Sequence, residues 1–138
     1  MDNDRLKHSI AVSRKMVEIC KSKNFNDTEL KDLFLLGYNH DIGYEFVKEN
    51  ENHGIIGGNI LKNNGYKYWQ EVYYHGEINI DYKSEYLNIL NQADMQIDKY
   101  GNDVGYEKRL ADIGSRYGKD SQVFKKCEQL INKLINNK

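Results

Sequence analysis

Apolar residues recur at spacings of three and four along most of this chain, which is the period of an amphipathic α-helix. The first such stripe predicts a helix over about residues 3–22, with His8 on its flank. The chain contains no proline, the residue that most strongly interrupts helix interiors. The stripe consists of Leu6, Ile10, Val17 and Cys20. No run alternates in the way typical of a half-buried strand, so the pattern predicts an all-α protein.

Cap residues predict where the next two helices begin and end. Asn26, followed three residues later by Glu29, has the pattern of a capping box and predicts a second helix that reaches the His40-Asp41 doublet. A third helix over about residues 52–64 ends at Gly65, a natural left-handed cap. We expect this third helix to place Ile56, Ile60 and Leu61 inward.

Four further helices complete the prediction. The fourth covers residues 66–75, and the fifth begins at the cap residue Ser84 and contains Asp94. The sixth and seventh cover residues 106–117 and 121–135. The chain therefore reads as a single-domain bundle of about six to seven helices over residues 1–138. Within this domain, the motif-bearing part covers about residues 5–98, and the C-terminal helices occupy residues 103–136.

Composition narrows the class of protein. At 138 residues, with 20 Lys and Arg against 21 Asp and Glu and a net charge of −1, the chain lacks the basic footprint that duplex nucleic acid requires. Its apolar runs are far shorter than the roughly 18 residues of a membrane span, and its N-terminus lacks an apolar signal region. We therefore expect a cytoplasmic protein without membrane contact, with Cys20 and Cys127 as reduced thiols. The tyrosine-rich middle leaves a homo-oligomer open.

The histidines form the informative pattern. The chain has four, and each falls on a different predicted helix or at its end. A single histidine near an apolar stripe is more often a hydrogen-bonded helix residue than a ligand, so metal binding would require the bundle to bring the set together. The ordered candidates are His8, His40, Asp41, His53, His75 and Asp94. Imidazole with carboxylate suits Fe, Mn, Zn, Co or Ni better than Mg.

The order of these histidines and aspartates, together with the sequence around them, resembles the HD superfamily of metal-dependent phosphohydrolases. The segments RLKHSIAVSRKM, LFLLGYNHDIGY, NHGIIGGNIL, VYYHGE and LNQADMQID resemble the family's successive ligand segments. GNDVGYEKRLADIGSRYG is similar to the tail of small stand-alone HD proteins, so the resemblance covers about residues 5–125.

The resemblance implies one or two divalent transition-metal ions. His8, His40, Asp41 and Asp94 would form the primary site. The resemblance also implies that His53 and His75 supply a second metal, with Asp41 as the bridge. Phosphate contact or support of other ligands remains an alternative role for His53 and His75.

Two residues after the doublet depart from some HD subfamilies, which carry a lysine three positions beyond the aspartate. Here Tyr44 occupies that position and Glu45 follows it. Tyr44 would donate a hydrogen bond to phosphate, and Glu45 would act as a base or orient the metal-bound water beside the catalytic Asp41. A surface Tyr-Glu turn without such roles explains the same two residues.

Three basic residues are candidates for binding an anionic substrate. Arg109 and Arg116 lie seven residues apart, on one face of the predicted sixth helix, and form either a phosphate clamp or a salt-bridge ladder with Asp112. Lys7, beside His8, is a further candidate.

The expected function is hydrolysis of a phosphate ester or anhydride of a small molecule, such as a nucleotide, by a metal-activated water. Two alternatives stay open: a di-iron oxygenase of HD type, and a non-catalytic binding or regulatory module that metal stabilises.

Overall fold

The computed structural model describes residues 2–48 and 51–136, which form seven α-helices and no β-strand. Two short 3-10 helices accompany them: Cys20–Ser22 extends the first helix, and Ile42–Glu45 follows the second. The α-helices are α1 (Asn3–Ile19), α2 (Asp27–Asn39), α3 (His53–Asn63), α4 (Trp69–Tyr74), α5 (Glu85–Asp94), α6 (Gly105–Tyr117) and α7 (Gln122–Asn136). The predicted all-α bundle of six to seven helices is confirmed.

Side-chain caps set the starts of several helices. The capping box is confirmed: Asn26 Oδ1 accepts from the Glu29 N–H at 2.8 Å, and Glu29 Oε1 accepts from the Asn26 N–H at 3.1 Å. Ser84 Oγ accepts from the Leu87 N–H at 2.9 Å and begins α5. Such bonds satisfy amides that have no partner within the helix.

The α4 helix is shorter than predicted at its start. Gly65 adopts a φ of 76°, as expected for the left-handed cap of α3. The Tyr66 N–H then bonds back to the Leu61 carbonyl at 2.9 Å. Tyr66 therefore closes α3, and α4 begins only at Trp69.

The buried stripe of α1 is displaced from the predicted one. Leu6, Ile10 and Val17 are only half-buried, although Cys20 is buried as expected. The innermost line of α1 consists of His8, Ser9, Val12, Ser13 and Met16. Small serines occupy this line because α2 approaches closely there: a Cβ added at Gly37 would lie 2.7 Å from Ser13 Oγ. His8 is thus within the buried face, and the expectation that it lies on the flank is wrong.

The prediction for the inner face of α3 holds only for Leu61, which packs against the apolar core. Ile56, Ile60 and Leu61 are half-buried, whereas the buried residues of α3 are Gly54, Gly57 and Gly58. Glycine is needed here because the backbone of α3 lies in direct contact with α4 and with the 3-10 helix Ile42–Glu45. A Cβ at Gly58 would lie 2.5 Å from Tyr73 Cβ, and one at Gly43 would collide with the His53 carbonyl.

The apolar core consists of two clusters. The larger joins α1, α2 and α5 and includes Val12, Met16, Leu33, Leu36 and Leu90, each with no exposed surface. The smaller lies between α7 and the end of α5 and consists of Met95, Leu130, Ile131 and Leu134. The C-terminus of α5 therefore touches both clusters, and it carries Asp94 at that point.

Among the described helices, none is both long enough and apolar enough to cross a lipid bilayer.

Candidate metal centre

Six predicted ligands converge from five places in the fold. One lies within α1, two directly follow α2, one is the first residue of α3, one directly follows α4 and one is the last residue of α5. Five of them are buried, and His53 is half-buried. The six are His8, His40, Asp41, His53, His75 and Asp94.

Asp41 lies at the centre of this set. Its Oδ1 is 3.3 Å from His53 Nε2 and 3.4 Å from His75 Nε2. Its Oδ2 is 3.3 Å from His40 Nε2 and 3.7 Å from His8 Nε2. The two oxygens of one carboxylate therefore face two different pairs of imidazole nitrogens.

Asp94 faces the same two histidines as Asp41 Oδ2. Its Oδ1 lies 2.9 Å from His8 Nε2 and 3.4 Å from His40 Nε2. This half of the centre thus contains two imidazoles and two carboxylates, whereas the other half contains His53, His75 and the remaining oxygen of Asp41.

Backbone carbonyls determine which nitrogen of three rings carries the proton. Each of these rings donates from Nδ1 to a carbonyl, because a carbonyl can only accept. The neutral ring then presents an unprotonated Nε2 to the centre, as metal-binding histidines do. The bonds join His8 to Asp98 at 2.9 Å, His40 to Gly37 at 2.6 Å and His75 to Val72 at 2.6 Å.

A cation fits this donor set. Within the described part of the chain, His40 Nε2 is buried without a hydrogen-bond partner. Unprotonated nitrogens facing ionised carboxylates repel one another, and a shared cation converts that repulsion into attraction. The ligand atoms form three compact groups that could each hold a metal ion: His8–His40–Asp41, His40–His75–Asp94 and Asp41–His53–His75.

Without a metal ion, the pKa values of Asp41, Asp94 and His40 are set by the attraction between these carboxylates and histidines. Burial raises the pKa of Asp41 and Asp94, but His40 and the other facing histidines together outweigh burial and hold both pKa values well below the usual carboxyl range. Burial lowers the pKa of His40, yet the two carboxylates overcome this and raise it well above the ordinary imidazole value. A proton on His40 therefore takes the place of a cation when no metal is bound.

A cavity of about 670 Å³ opens above the centre. Five of the six candidate ligands line it, and His40 lies behind them. Its walls come from α1, the end of α5, α6 and α7. Tyr44, Arg109 and Arg116 also line this cavity, so the structure brings these predicted substrate residues to the candidate ligands.

The salt-bridge ladder expected for Arg109 and Arg116 is confirmed. Asp112 Oδ2 lies 3.7 Å from Arg109 Nη1 and 3.3 Å from Arg116 Nη2, which is the salt-bridge ladder. Arg109 is only 8% exposed, and its Nε donates to the Asp94 carbonyl at 3.2 Å. The ladder therefore holds the Arg109 guanidinium beside a candidate ligand.

Lys7 and Glu45 lie elsewhere. Both side chains are exposed, and neither is among the residues that line the cavity. Lys7 follows the helical rotation of about 100° per residue away from His8. Tyr44 is instead half-buried, and burial raises the pKa of its hydroxyl to about 12.

Three cations that sequence reasoning missed also line the cavity: Arg5, Lys99 and Lys126. Arg5 precedes His8 by three residues on α1, so helical spacing could have identified it. Lys99 follows α5 in a loop and Lys126 lies on α7, and their proximity to the centre depends on tertiary packing.

No protein-family model, curated protein or solved structure matches this chain.

Proposed function

We propose that this protein is a metal-dependent phosphohydrolase of HD type, which cleaves a phosphate ester or anhydride of a small molecule such as a nucleotide. The observation that carries the proposal is the placement of Asp41, with each carboxylate oxygen facing its own pair of imidazole nitrogens. A bridging carboxylate between nitrogen-rich halves suits two divalent transition-metal ions, and two-metal centres are typical of phosphoryl hydrolysis.

The ligands would divide between two ions of Fe, Mn, Zn, Co or Ni. His8, His40 and Asp94 would hold one ion, His53 and His75 would hold the other, and Asp41 would bind both. When bound, such ions supply Lewis-acid stabilisation of phosphoryl charge and lower the pKa of a water molecule.

Two arginines on the cavity wall support an anionic substrate. Arg109 is nearly buried next to Asp94, and Arg116 is 3.3 Å from the same Asp112 that Arg109 faces. In the proposed reaction these guanidiniums bind and orient the phosphoryl oxygens. Lys126 is paired with Glu77 at 3.0 Å, so it adds less free positive charge.

The balance of the reaction is simple. A water oxygen forms a bond to phosphorus, and the bond from phosphorus to the leaving oxygen breaks. A proton from the water passes to the leaving oxygen or to solvent. A phosphomonoester yields inorganic phosphate and an alcohol, whereas an anhydride yields two phosphate-bearing products. No oxidant or reductant is consumed.

Substitution of Asp41 tests the proposal. Asp41→Asn keeps the shape of the side chain but removes the charge needed to bridge two cations. We expect phosphate release from an active substrate to fall by at least about 100-fold, comparable to losing a principal charge-stabilising group. The measurement is phosphate release across a panel of phosphomonoesters and nucleotides, with metal content by elemental mass spectrometry. Asp81→Asn, at an exposed aspartate, is the matched control.

Other outcomes distinguish the alternatives. Wild-type phosphate release by Asp41→Asn would refute the phosphohydrolase proposal. Oxygen uptake by the iron-loaded protein, together with a mixed-valent signal in electron paramagnetic resonance, would indicate a di-iron oxygenase. Metal-dependent melting without turnover on any substrate would indicate a binding or regulatory module.

A further inference from the structure

The four histidines are not held in the same way. His8, His40 and His75 each donate from Nδ1 to a backbone carbonyl. Among the described residues, none accepts such a bond from His53 Nδ1, and the His53 side chain is 29% exposed whereas that of His75 is 3% exposed. His53 therefore needs another partner to fix its ring.

That partner is an aromatic ring. Tyr44 stacks on His53 with a centroid distance of 4.0 Å and an angle of 12° between the planes. On Tyr44 lies the Arg5 guanidinium, with Cζ 3.5 Å from the ring centroid. These three groups lie one on another and form what we call the Arg5–Tyr44–His53 stack, which ends at the candidate metal centre.

Arg5 and Tyr44 are both anchored to the fold. Arg5 donates from its backbone N–H to Asp2 Oδ1 at 2.8 Å and from Nε to Asp2 Oδ2 at 3.3 Å, at the start of α1. The Tyr44 N–H donates to the Asp41 carbonyl at 3.1 Å. The stack thus connects α1, the bridging aspartate and the first residue of α3.

We propose that Tyr44 and Arg5 are positioning residues that orient His53 and thereby set the metal affinity of the half that contains Asp41 Oδ1, His53 and His75. This inference rests on the proposed two-metal centre. Stacking permits more in-plane sliding and rotation than a hydrogen bond to a carbonyl, because its attraction depends weakly on those motions. The half with His53 is accordingly the one that binds its ion second and releases it first.

Cobalt titration of metal-free protein tests the inference. Co²⁺ alone is the probe, and calorimetry with visible absorption gives the number of ions and the affinity of each. Wild type is expected to bind two ions in unequal steps. Tyr44→Leu removes the flat ring and should weaken the second step about 10- to 100-fold, the usual effect of losing a group that orients a ligand. The first step should be unchanged.

Two variants separate orientation from other effects. Tyr44→Phe retains the ring and loses only the hydroxyl, so it should bind both ions as wild type does. Tyr100→Leu is the matched control, since Tyr100 also lies beneath a cation, Lys99, with its Nζ 4.9 Å from the ring centroid, but is 53% exposed and absent from the cavity wall. Arg5→Ala should weaken the second step less than Tyr44→Leu does.

The results also separate this inference from the proposed function. If wild type binds two ions and Tyr44→Leu binds the second equally tightly, the positioning role is wrong and the metal centre stands. Equal weakening of both steps in Tyr44→Leu would likewise overturn a role confined to His53. If wild type binds no Co²⁺, the proposed metal-dependent function itself fails.

Discussion

His40 is the residue whose protonation responds most directly to metal. It is fully buried between Asp41 and Asp94, with its Nδ1 committed to the Gly37 carbonyl. Its Nε2 can be satisfied by a proton shared with the carboxylates or by a metal ion, and these occupants exclude one another. Metal binding and protonation are therefore linked at this single atom.

This linkage predicts a pH dependence for the metal-free protein. The folded state raises the pKa of His40, so protonated His40 stabilises the fold fully below its unfolded pKa of about 6.5. That contribution disappears as pH rises through the folded pKa. We expect the free energy of unfolding, measured with urea in the presence of a chelator, to fall as pH rises above about 6.5.

The metal-loaded protein should behave differently over the same range. Its His40 holds no proton to lose, so the decline should be absent, and binding metal below the folded pKa should release a proton that calorimetry in two buffers detects. The lowered pKa values of Asp41 and Asp94 act only in acid, where stability falls as pH drops through them. A chelated protein that grows more stable above neutral pH would contradict this account.

At the level of elements, the contact between α3 and α4 determines how His53 and His75 meet. His53 begins α3 and His75 directly follows α4, and their Nε2 atoms lie 3.0 Å apart. Gly58 allows this approach, since a Cβ there would lie 2.7 Å from the Tyr73 Cα and 3.0 Å from the Tyr73 N. The close contact is with backbone, which cannot move aside as a flexible side chain can.

Gly58→Ala should therefore separate α3 from α4. We expect a loss of about 1–3 kcal/mol in the free energy of unfolding, as for overpacked sites, with weaker binding of the second metal ion. Chemical denaturation and Co²⁺ titration measure the two effects. Asn59→Ala, at an exposed position of the same helix, is the control and should change neither. Full stability of Gly58→Ala would show that the helices can separate without cost.

At the level of the whole molecule, the metal centre joins parts of the chain that are far apart in sequence. Its candidate ligands come from α1, α3, α5 and the residues directly after α2 and α4, while Arg109 of α6 bonds to the Asp94 carbonyl. A metal ion bound by these groups requires the folded arrangement and has few such ligands in the unfolded chain.

Metal should therefore stabilise the fold as a unit. At a free concentration 100 times the dissociation constant, the expected gain is about 2.7 kcal/mol per ion. Thermal melting with Mn²⁺ or Co²⁺, against chelator, measures this gain as a rise in melting temperature. Ca²⁺, which prefers oxygen ligands, is the control ion and should have a smaller effect. An unchanged melting temperature at saturating metal would contradict the centre.

Local signals in the sequence are enough to predict the seven helices and to name the candidate ligands. Helical periodicity and caps such as the Asn26–Glu29 box act through bonds between residues three or four positions apart, so they can be read without knowing the fold. The order of four histidines and two aspartates identified residues that the structure does bring together. Arg109 and Arg116 were recognisable because they share one face of one helix.

The arrangement of those residues, by contrast, depends on how the helices pack. Which oxygen of Asp41 faces which pair of histidines depends on the distances and angles between helices, and no local spacing encodes them. The same holds for the glycine contact of α3 with α4 and for the inward turn of His8. Lys7 and Glu45 neighbour ligands in sequence yet point elsewhere, whereas Arg5 reaches His53 through Tyr44. Sequence neighbours on a helix diverge by about 100°, and convergence of distant side chains comes from packing.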